Sequence, residues 1–447
     1  MTDARAQMNA WFDRLDATIA DVDTIEHSGQ ISQIVGMTVE ANGPACSVGD
    51  VCRIRQGMGA RHETMAEVVG FKENKLLLMP LGNLSGISPG DRVFATGTQL
   101  KVKVGKALQG RVLGPLGEPI DDGPPIETER EYGIDNDPPS PLKRARIHDV
   151  LPMGVRAIDG MLTIGIGQRM GIFAGSGVGK STLLGMIARN AESDVNVIVL
   201  VGERGREVKD FIEKDLREEG LRRTVLIVAT SDQPALLRLK SAMVGTSIAE
   251  YFRDEGYKVM LMMDSLTRFA MAQREIGMAT GEPPISRGYT PSVYSMLPRL
   301  LERSGTSDKG SITAIYTVLV EGDDMNEPIS DTVRGILDGH MVLSRKLANN
   351  NHYPPIDVLA SISRLMPEIV PEAQYRMASQ VRNLMATYRE NQDLISIGAY
   401  KPGANMELDR AIRLHEPIER MLIQGMNEPA NMETAVEALQ KITNEQQ

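Results

Sequence analysis

Residues 174–182 read Ala174-Gly175-Ser176-Gly177-Val178-Gly179-Lys180-Ser181-Thr182, between the apolar run RMGIFA (169–174) and the helical pattern KSTLLGMIARNAE (180–192). Strand, glycine-rich loop and helix in that order are the setting in which a phosphate-binding loop (P-loop) works. Glycines let the main chain curl so that successive N–H groups point inward at phosphate oxygens. The helix N-terminus adds the positive end of its dipole. In such a loop the lysine, here Lys180, lays a mobile positive charge on the β- and γ-phosphates of a nucleotide, and the next hydroxyl, Ser181, ligates Mg2+. Gly175, Ser176, Gly177, Val178, Gly179, Lys180, Ser181 and Thr182 are therefore the expected nucleotide contacts. Ala174 stands where the motif usually has its first glycine. That position ends the strand, ahead of the curl, so a methyl group there is expected to do little harm.

Outward from the loop, the runs VNVIVLVG (195–202), TVLIVAT (224–230), KVMLMMD (258–264) and SITAIYTVL (311–319) are apolar almost throughout. Such runs suit strands of a parallel sheet buried on both faces. Helical stretches lie between them, EVKDFIEKDLREEG (207–220) and QPALLRLKSAMVGTSIAEYFRDEG (233–256). Strand–helix alternation of this kind predicts a doubly wound α/β domain, whose ligands bind at the carboxyl ends of the strands. Two acids fall there. Asp264 ends its strand and is placed to hold Mg2+ through water, or else to cap the helix that begins at Ser265-Leu266-Thr267. Glu203, in Gly202-Glu203-Arg204-Gly205-Arg206-Glu207, is the candidate to align an attacking water, with Arg204 reaching the γ-phosphate. The competing reading is a charged loop whose acids and arginines pair with one another.

The flanks differ in kind. Residues 23–97 hold short β-rich runs (ISQIVGMTVEA, DVCRI, AEVVGF, KLLLMPL, DRVFATG) punctuated by NGP, SVGD, KEN and SPGD, the pattern of a small β-barrel. Residues 98–150 are rich in proline and glycine (LGPLGEPIDDGPP, DPPSPLKRARI) and are expected to form a connector lying on the ATP-binding domain, which spans 98–370 with it. Residues 371–447 show helical periodicity and predict a C-terminal helical domain. In residues 1–22, Trp11, Phe12, Leu15 and Ile19 recur at helical spacing; the helix they suggest either packs on its own domain or docks on a partner.

The 447 residues suffice for two or three domains. With 49 Lys and Arg against 59 Asp and Glu, the net charge of −10 lacks the overall basic footprint of a nucleic-acid binder. Cys46 and Cys52 are the only cysteines, too few for a four-thiolate zinc site and in keeping with a reducing compartment. The N-terminus has no apolar signal-peptide core, and no run reaches the ~18 apolar residues of a membrane span. A cytoplasmic protein is expected, with membrane contact only peripheral.

Taken together, AGSGVGKST, GERGREV (202–208), LMMDSLTRFAMAQREIG (261–277), GEPPISRGYTPSVYSMLPRLLERSG (281–305) and HYPPIDVLASISR (352–364) resemble the bacterial type III protein-export ATPases, relatives of the catalytic subunit of rotary ATP synthases. SDQPALLRLK (231–240), SLTRFAMAQREI (265–276) and VEGDDMNEPISD (320–331) look more like the flagellar branch than the virulence-injectisome branch. The resemblance implies an N-terminal β-barrel, a central RecA-like P-loop ATPase core and a C-terminal helical domain. It implies a homohexamer with ATP sites between subunits, Glu203 as the catalytic glutamate and Arg364, which ends IDVLASISR, as an arginine reaching into the neighbouring site. It implies that Tyr353 packs on adenine and that the N-terminal helix docks on a regulatory stator-like protein. By the same resemblance the C-terminal domain meets chaperone–substrate complexes, and hydrolysis drives substrate unfolding and chaperone release at membrane proteins of an export gate, on the inner face of the cell membrane.

Four other readings compete: a virulence-injectisome ATPase, the catalytic subunit of a rotary ATP synthase, a nucleotide-binding subunit that does not turn over, and a RecA-like RNA helicase. Glu203 argues against the non-hydrolysing subunit. Against the helicase stand the two aromatics of the barrel segment, Phe71 and Phe94, too few for a base-stacking platform.

Overall fold

A computed structural model describes residues 11, 27–57, 62–320, 322 and 324–444. Of the helix expected over 1–22, only Trp11 is described, in helical conformation; the rest of that expectation lies outside the described residues. The chain forms two compact units, Met1–Leu100 and Lys101–Gln447.

In the first unit six strands, β1 (Ser28–Val35), β2 (Thr38–Asn42), β3 (Asp50–Arg55), β4 (Glu63–Lys72), β5 (Lys75–Pro80) and β6 (Arg92–Gln99), close in the order β1-β2-β5-β4-β3-β6. Alternate residues fill its interior: Val39 and Ala41, Cys52 and Ile54, Ala66 and Val68, Leu76 and Leu78. This two-residue period is what a closed sheet with one buried face requires. The last strand runs to Gln99, two residues past the expected limit of 97, because Asp50 pairs with Gln99 across β3 and β6.

The second unit is built on β7 (Lys101–Val104), β8 (Val112–Leu113), β9 (Arg130–Gly133), β10 (Arg169–Ala174), β11 (Val195–Glu203), β12 (Thr224–Thr230), β13 (Lys258–Asp264), β14 (Gly305–Thr306), β15 (Ser311–Leu319), β16 (Gly339–Leu343) and β17 (Ile362–Ser363). The main sheet has the order β17-β16-β10-β15-β13-β11-β12-β8, with β14 paired to β15. From β16 to β8 its neighbours are parallel, so their carboxyl ends share one edge. β11, β13 and β15 are buried along nearly their whole length, which explains their unbroken apolar runs. β16, with only His340-Met341-Val342-Leu343 after its glycine, is too short and too mixed to stand out in the sequence.

The connector is more structured than its proline content suggests. β7 and β9 pair with each other, and β8 joins the edge of the main sheet. Arg303, 2% exposed, pins the chain after β9 by donating to Ile134 O at 2.7 Å while pairing with buried Glu250 at 2.8 Å.

The C-terminal helices Glu372–Glu390, Met406–Leu422 and Met432–Asn444 follow the expected periodicity. Their apolar faces, including Val381, Leu384, Leu414, Ile418 and Leu439, belong to the same hydrophobic core as Met153, Ile158, Leu184 and Ile187. Burying a leucine or valine side chain stabilises by roughly 1.5–3 kcal/mol. These helices are therefore one body with the nucleotide-binding sheet rather than a separately cored domain.

Candidate functional site

β10 ends at Ala174, and the chain then curls through Gly177 at φ 75° and Gly179 at φ 98° before the helix Lys180–Asn190 begins. Only glycine adopts these angles without strain. Val178, 1% exposed, anchors the middle of the curl in the core. Gly175, Ser176, Gly177, Gly179, Lys180, Ser181 and Thr182 line a cavity of about 670 Å³. Across it stand Glu203, Arg204, Glu207, Thr267 and Arg268. The expected phosphate loop and the expected water-aligning loop thus face one space.

Three charges meet at the cavity floor. Lys180 Nζ lies 2.5 Å from Asp264 Oδ1 and 3.7 Å from Glu203 Oε1. Asp264 Oδ1 also accepts from Thr317 Oγ1 at 2.8 Å, so the carboxylate is fixed from two sides. Asp264 does not cap the following helix; Ser265 does, accepting from Arg268 N at 3.3 Å. That leaves Asp264 free for the charge chemistry at the sheet edge. Burial, and after it the negative charge of Asp264, raise Glu203 to about 7, with Lys180 pulling the other way. Glu207, four residues on, shares a hydrogen bond with Glu203 and raises it further. Arg204 is largely exposed and pairs loosely with Glu207 at 3.8 Å. It lines the cavity, but in this arrangement it points no charge at the floor.

No group of three or more His, Cys, Asp or Glu suited to a metal occurs among the described residues. The donors here are instead one hydroxyl, Ser181, and one carboxylate, Asp264. Such a sparse oxygen set fits Mg2+, which keeps waters and takes phosphate oxygens beside one or two protein ligands. It would not cage a metal without nucleotide.

Arg268 is absent from the residues singled out in the sequence. It lines the cavity one turn beyond Ser265, and its Nε is buried with no hydrogen-bond partner. Buried polar atoms are nearly always paired, so this Nε leaves a donor at the cavity wall that an entering anion could use. The signal was a positive charge four residues after a strand-ending Asp.

Tyr353 reaches the phosphate loop from far along the chain. A β-carbon on Gly179 would sit 3.7 Å from the Tyr353 ring, which is 44% exposed. The C-terminal region holds its loop: Gln424 N, just past the helix Met406–Leu422, donates to Tyr353 O at 2.8 Å, and His352 Nδ1 lies 2.8 Å from Glu419 Oε2 on that helix. That bond to His352 is the largest influence holding Glu419 below the usual carboxylate range.

Arg364 is not brought to this cavity. Its N–H donates to Asp338 O at 3.0 Å, and Asp338 N in turn donates to Arg169 O at the start of β10. Ala174, at the other end of β10, leads into the loop; a strand of that length spans ~16 Å. Arg364 is exposed at the sheet edge opposite the cavity, its guanidinium donating to Arg334 O.

If Lys180 grips phosphate, Lys180→Ala weakens nucleotide binding by about 100-fold, the loss of a charge-assisted bond worth ~1.5–3 kcal/mol. Titration with a fluorescent ATP analogue measures this. Unchanged affinity rules out the grip.

Comparisons with known proteins agree with this geometry. Residues 154–363 match the ATP synthase alpha/beta family nucleotide-binding domain, residues 31–97 its beta-barrel domain, and residues 370–441 the T3SS EscN ATPase C-terminal domain. A flagellum-specific ATP synthase of Bacillus subtilis is 54% identical over 427 residues, 94% of this chain and 96% of the relative. A type 3 secretion system ATPase of Xanthomonas euvesicatoria is 49% identical over 96% of this chain and 97% of its own. The assembled ATPase EscN of the enteropathogenic E. coli type III secretion system superposes with a TM-score of 0.88 at 46% identity, covering 93% of this chain and 99% of EscN. The barrel, the phosphate loop at the sheet edge and the appended helices thus recur together along nearly the whole length, and the chain belongs to the ATP synthase alpha/beta family, within its group of flagellar and type III secretion ATPases.

Proposed function

We propose that this protein hydrolyses Mg·ATP at the 174–182 loop, as a homohexamer, to drive flagellar protein export. The observation that carries the chemistry is the meeting of Lys180, Asp264 and Glu203 at one sheet edge, with Lys180 bridging the two acids. When the phosphates enter, Lys180 turns from Asp264 toward them. The loop amides and Arg268 surround the phosphate oxygens. Ser181 and, through water, Asp264 would hold Mg2+, which would neutralise charge on the β- and γ-phosphates. Glu203 holds a water in line with the γ-phosphorus and takes its proton as the water oxygen bonds to that phosphorus; the bond from the γ-phosphorus to the bridging oxygen breaks, and ADP carries that oxygen away. Arg204 has the reach to meet the γ-phosphate from the cavity rim, and Arg364 of the adjoining subunit completes the site.

The flagellar assignment is supported by the 54% and 48% identical flagellum-specific relatives of Bacillus subtilis and Treponema pallidum. EscN has been solved with its central stalk EscO, which supports a stalk-like regulatory partner for this chain too. No described helix is long and apolar enough to cross a membrane. In this reading the protein works in the cytoplasm and meets an export gate on the inner face of the cell membrane, with chaperone–substrate complexes meeting the C-terminal helices. The test is complementation of a flagellated bacterium lacking its own export ATPase. Restored motility and secretion of hook and filament proteins is expected; rescue only of an injectisome mutant rejects the flagellar reading.

The base-binding part is tested separately. Tyr353→Ala raises the KM for ATP about tenfold, in line with ~1–3 kcal/mol for base–aromatic stacking, and leaves kcat nearly unchanged. Tyr353→Phe keeps the ring and behaves as the parent protein. Equal KM values for all three proteins remove Tyr353 from the base pocket.

A further inference from the structure

The segment 357–364, which ends in Arg364, runs from the loop after Tyr353 to the short strand β17. It is tightly organised. Asp357 Oδ1 accepts the N–H groups of Leu359 and Ala360, both at 3.1 Å. Ser361 Oγ donates to Asp357 O at 2.6 Å and accepts from Val342 N at 2.9 Å.

Two arginines of the C-terminal helix Glu372–Glu390 grip this segment. Arg382 Nη1 donates to Val358 O at 3.1 Å and to Ser361 O at 3.3 Å, while its Nη2 donates to Met161 O at 2.7 Å. Arg389 Nη2 donates to Asp357 Oδ1 at 2.9 Å. The two lie seven residues apart, two helical turns, and so on one face. Arg382 has no carboxylate partner among the described residues; every bond recorded for it goes to a main-chain carbonyl. Burial is the largest influence on its charge and opposes it. A partly buried cation with no counter-ion is unfavourable unless its donors are used. The rigid fork of a guanidinium can span carbonyls of separate segments, which an ammonium cannot do in fixed geometry. Here it ties the segment leading to Arg364, and the end of the helix Arg156–Met161, to the C-terminal helix.

We propose that Arg382 is a positioning residue for the neighbouring subunit's reaction: by fixing the 357–364 segment it sets where Arg364 stands, and so links the C-terminal helix Glu372–Glu390 of one subunit to ATP hydrolysis in the next. This rests on the reading of Arg364 as an arginine supplied in trans. It extends that reading by naming a route from the C-terminal helices to a site other than their own. A shift of this helix changes the turnover of the adjoining subunit, while the phosphate grip of its own loop is untouched.

The experiment measures phosphate release by the full-length assembled protein. Arg382→Gln alone lowers kcat by about 10²-fold, the penalty of misplacing a catalytic group by ~1 Å, with the KM for ATP unchanged. The double variant Arg382→Gln/Arg364→Ala is no slower than Arg364→Ala, because both changes remove the same contribution. Each single variant is then assembled with an equal amount of Lys180→Ala subunits, which have a dead site but intact Arg364 and Arg382. Turnover per Arg382→Gln subunit rises about 50-fold on mixing, toward half the parent rate, since half of its sites now receive a well-placed arginine from a neighbour. A subunit merely destabilised by Arg382→Gln gains nothing from such a neighbour. Recovery of the Arg364→Ala subunits without recovery of the Arg382→Gln subunits overturns the positioning role and leaves the trans arginine standing. Failure of both to recover overturns the trans arginine and this inference with it.

Discussion

Glu203→Gln is expected to lower ATP turnover by ~10²–10⁴-fold, the usual contribution of a positioned general base, while ATP still binds. The side chain ends β11 at the floor of the cavity, 3.7 Å from the Lys180 ammonium. Glutamine keeps the length and volume and loses the charge, so it cannot polarise a water. In the proposed site the phosphate grip depends on other groups: the loop amides, Lys180 and Arg268. Burial and the charge of Asp264 raise the acid to about 7, close to working pH, where a base both exists as carboxylate and accepts a proton readily. Glu203→Asp keeps the charge but withdraws it by one methylene, and is expected to fall between the two. Equilibrium ATP binding together with single-turnover phosphate release separates grip from chemistry. A Glu203→Gln protein that keeps more than a tenth of the parent rate would assign the water to another residue, with Glu207 next in line.

Which parts of this site were legible in the sequence follows from how local each signal is. The curl at Gly177 and Gly179, the charge of Lys180 and the strand-ending acids Glu203 and Asp264 are each encoded within a few residues. A parallel sheet then brings strand ends together without further information. Arg268 was missed because its spacing, four residues after Asp264, shows only a cation on the next helix, whereas its meaning is a buried, unpartnered Nε that only the fold reveals. That Tyr353 neighbours Gly179 depends on a loop held by His352, Glu419 and Gln424, and only the family resemblance pointed to it. The barrel was readable from short β-rich runs and the turn signals between them. The shared core of the sheet domain and the C-terminal helices was not, because periodicity gives the buried face of a helix but not the surface that covers it. The same limit applies to Arg382. In the sequence it is one more cation on an amphipathic helix, and only its three carbonyl partners show otherwise.

Arg364→Ala carries the largest expected loss, ~10³–10⁵-fold in turnover, the range for an arginine that meets the charge on a transferring phosphoryl group. Within one chain this residue has no access to the cavity. Its main chain is level with the start of β10, through Asp338 and Arg169, while the phosphate loop leaves the other end of that strand. Its effect on turnover therefore requires a second subunit whose cavity faces this edge. Two consequences follow from that geometry. In the proposed site ATP affinity is set by Lys180, the loop amides and the wall at Tyr353, so Arg364→Ala is expected to leave it unchanged. The specific activity of the parent protein rises with concentration wherever assembly is incomplete, because an isolated subunit lacks the arginine. The variant shows no such rise, since assembly brings its sites no arginine. Phosphate release measured from nanomolar to micromolar protein, alongside sedimentation to report assembly, checks both. An Arg364→Ala protein whose activity still climbs with assembly would mean that the neighbour completes the site with some other group, and the exposed Arg364 would then be a surface residue of its own subunit.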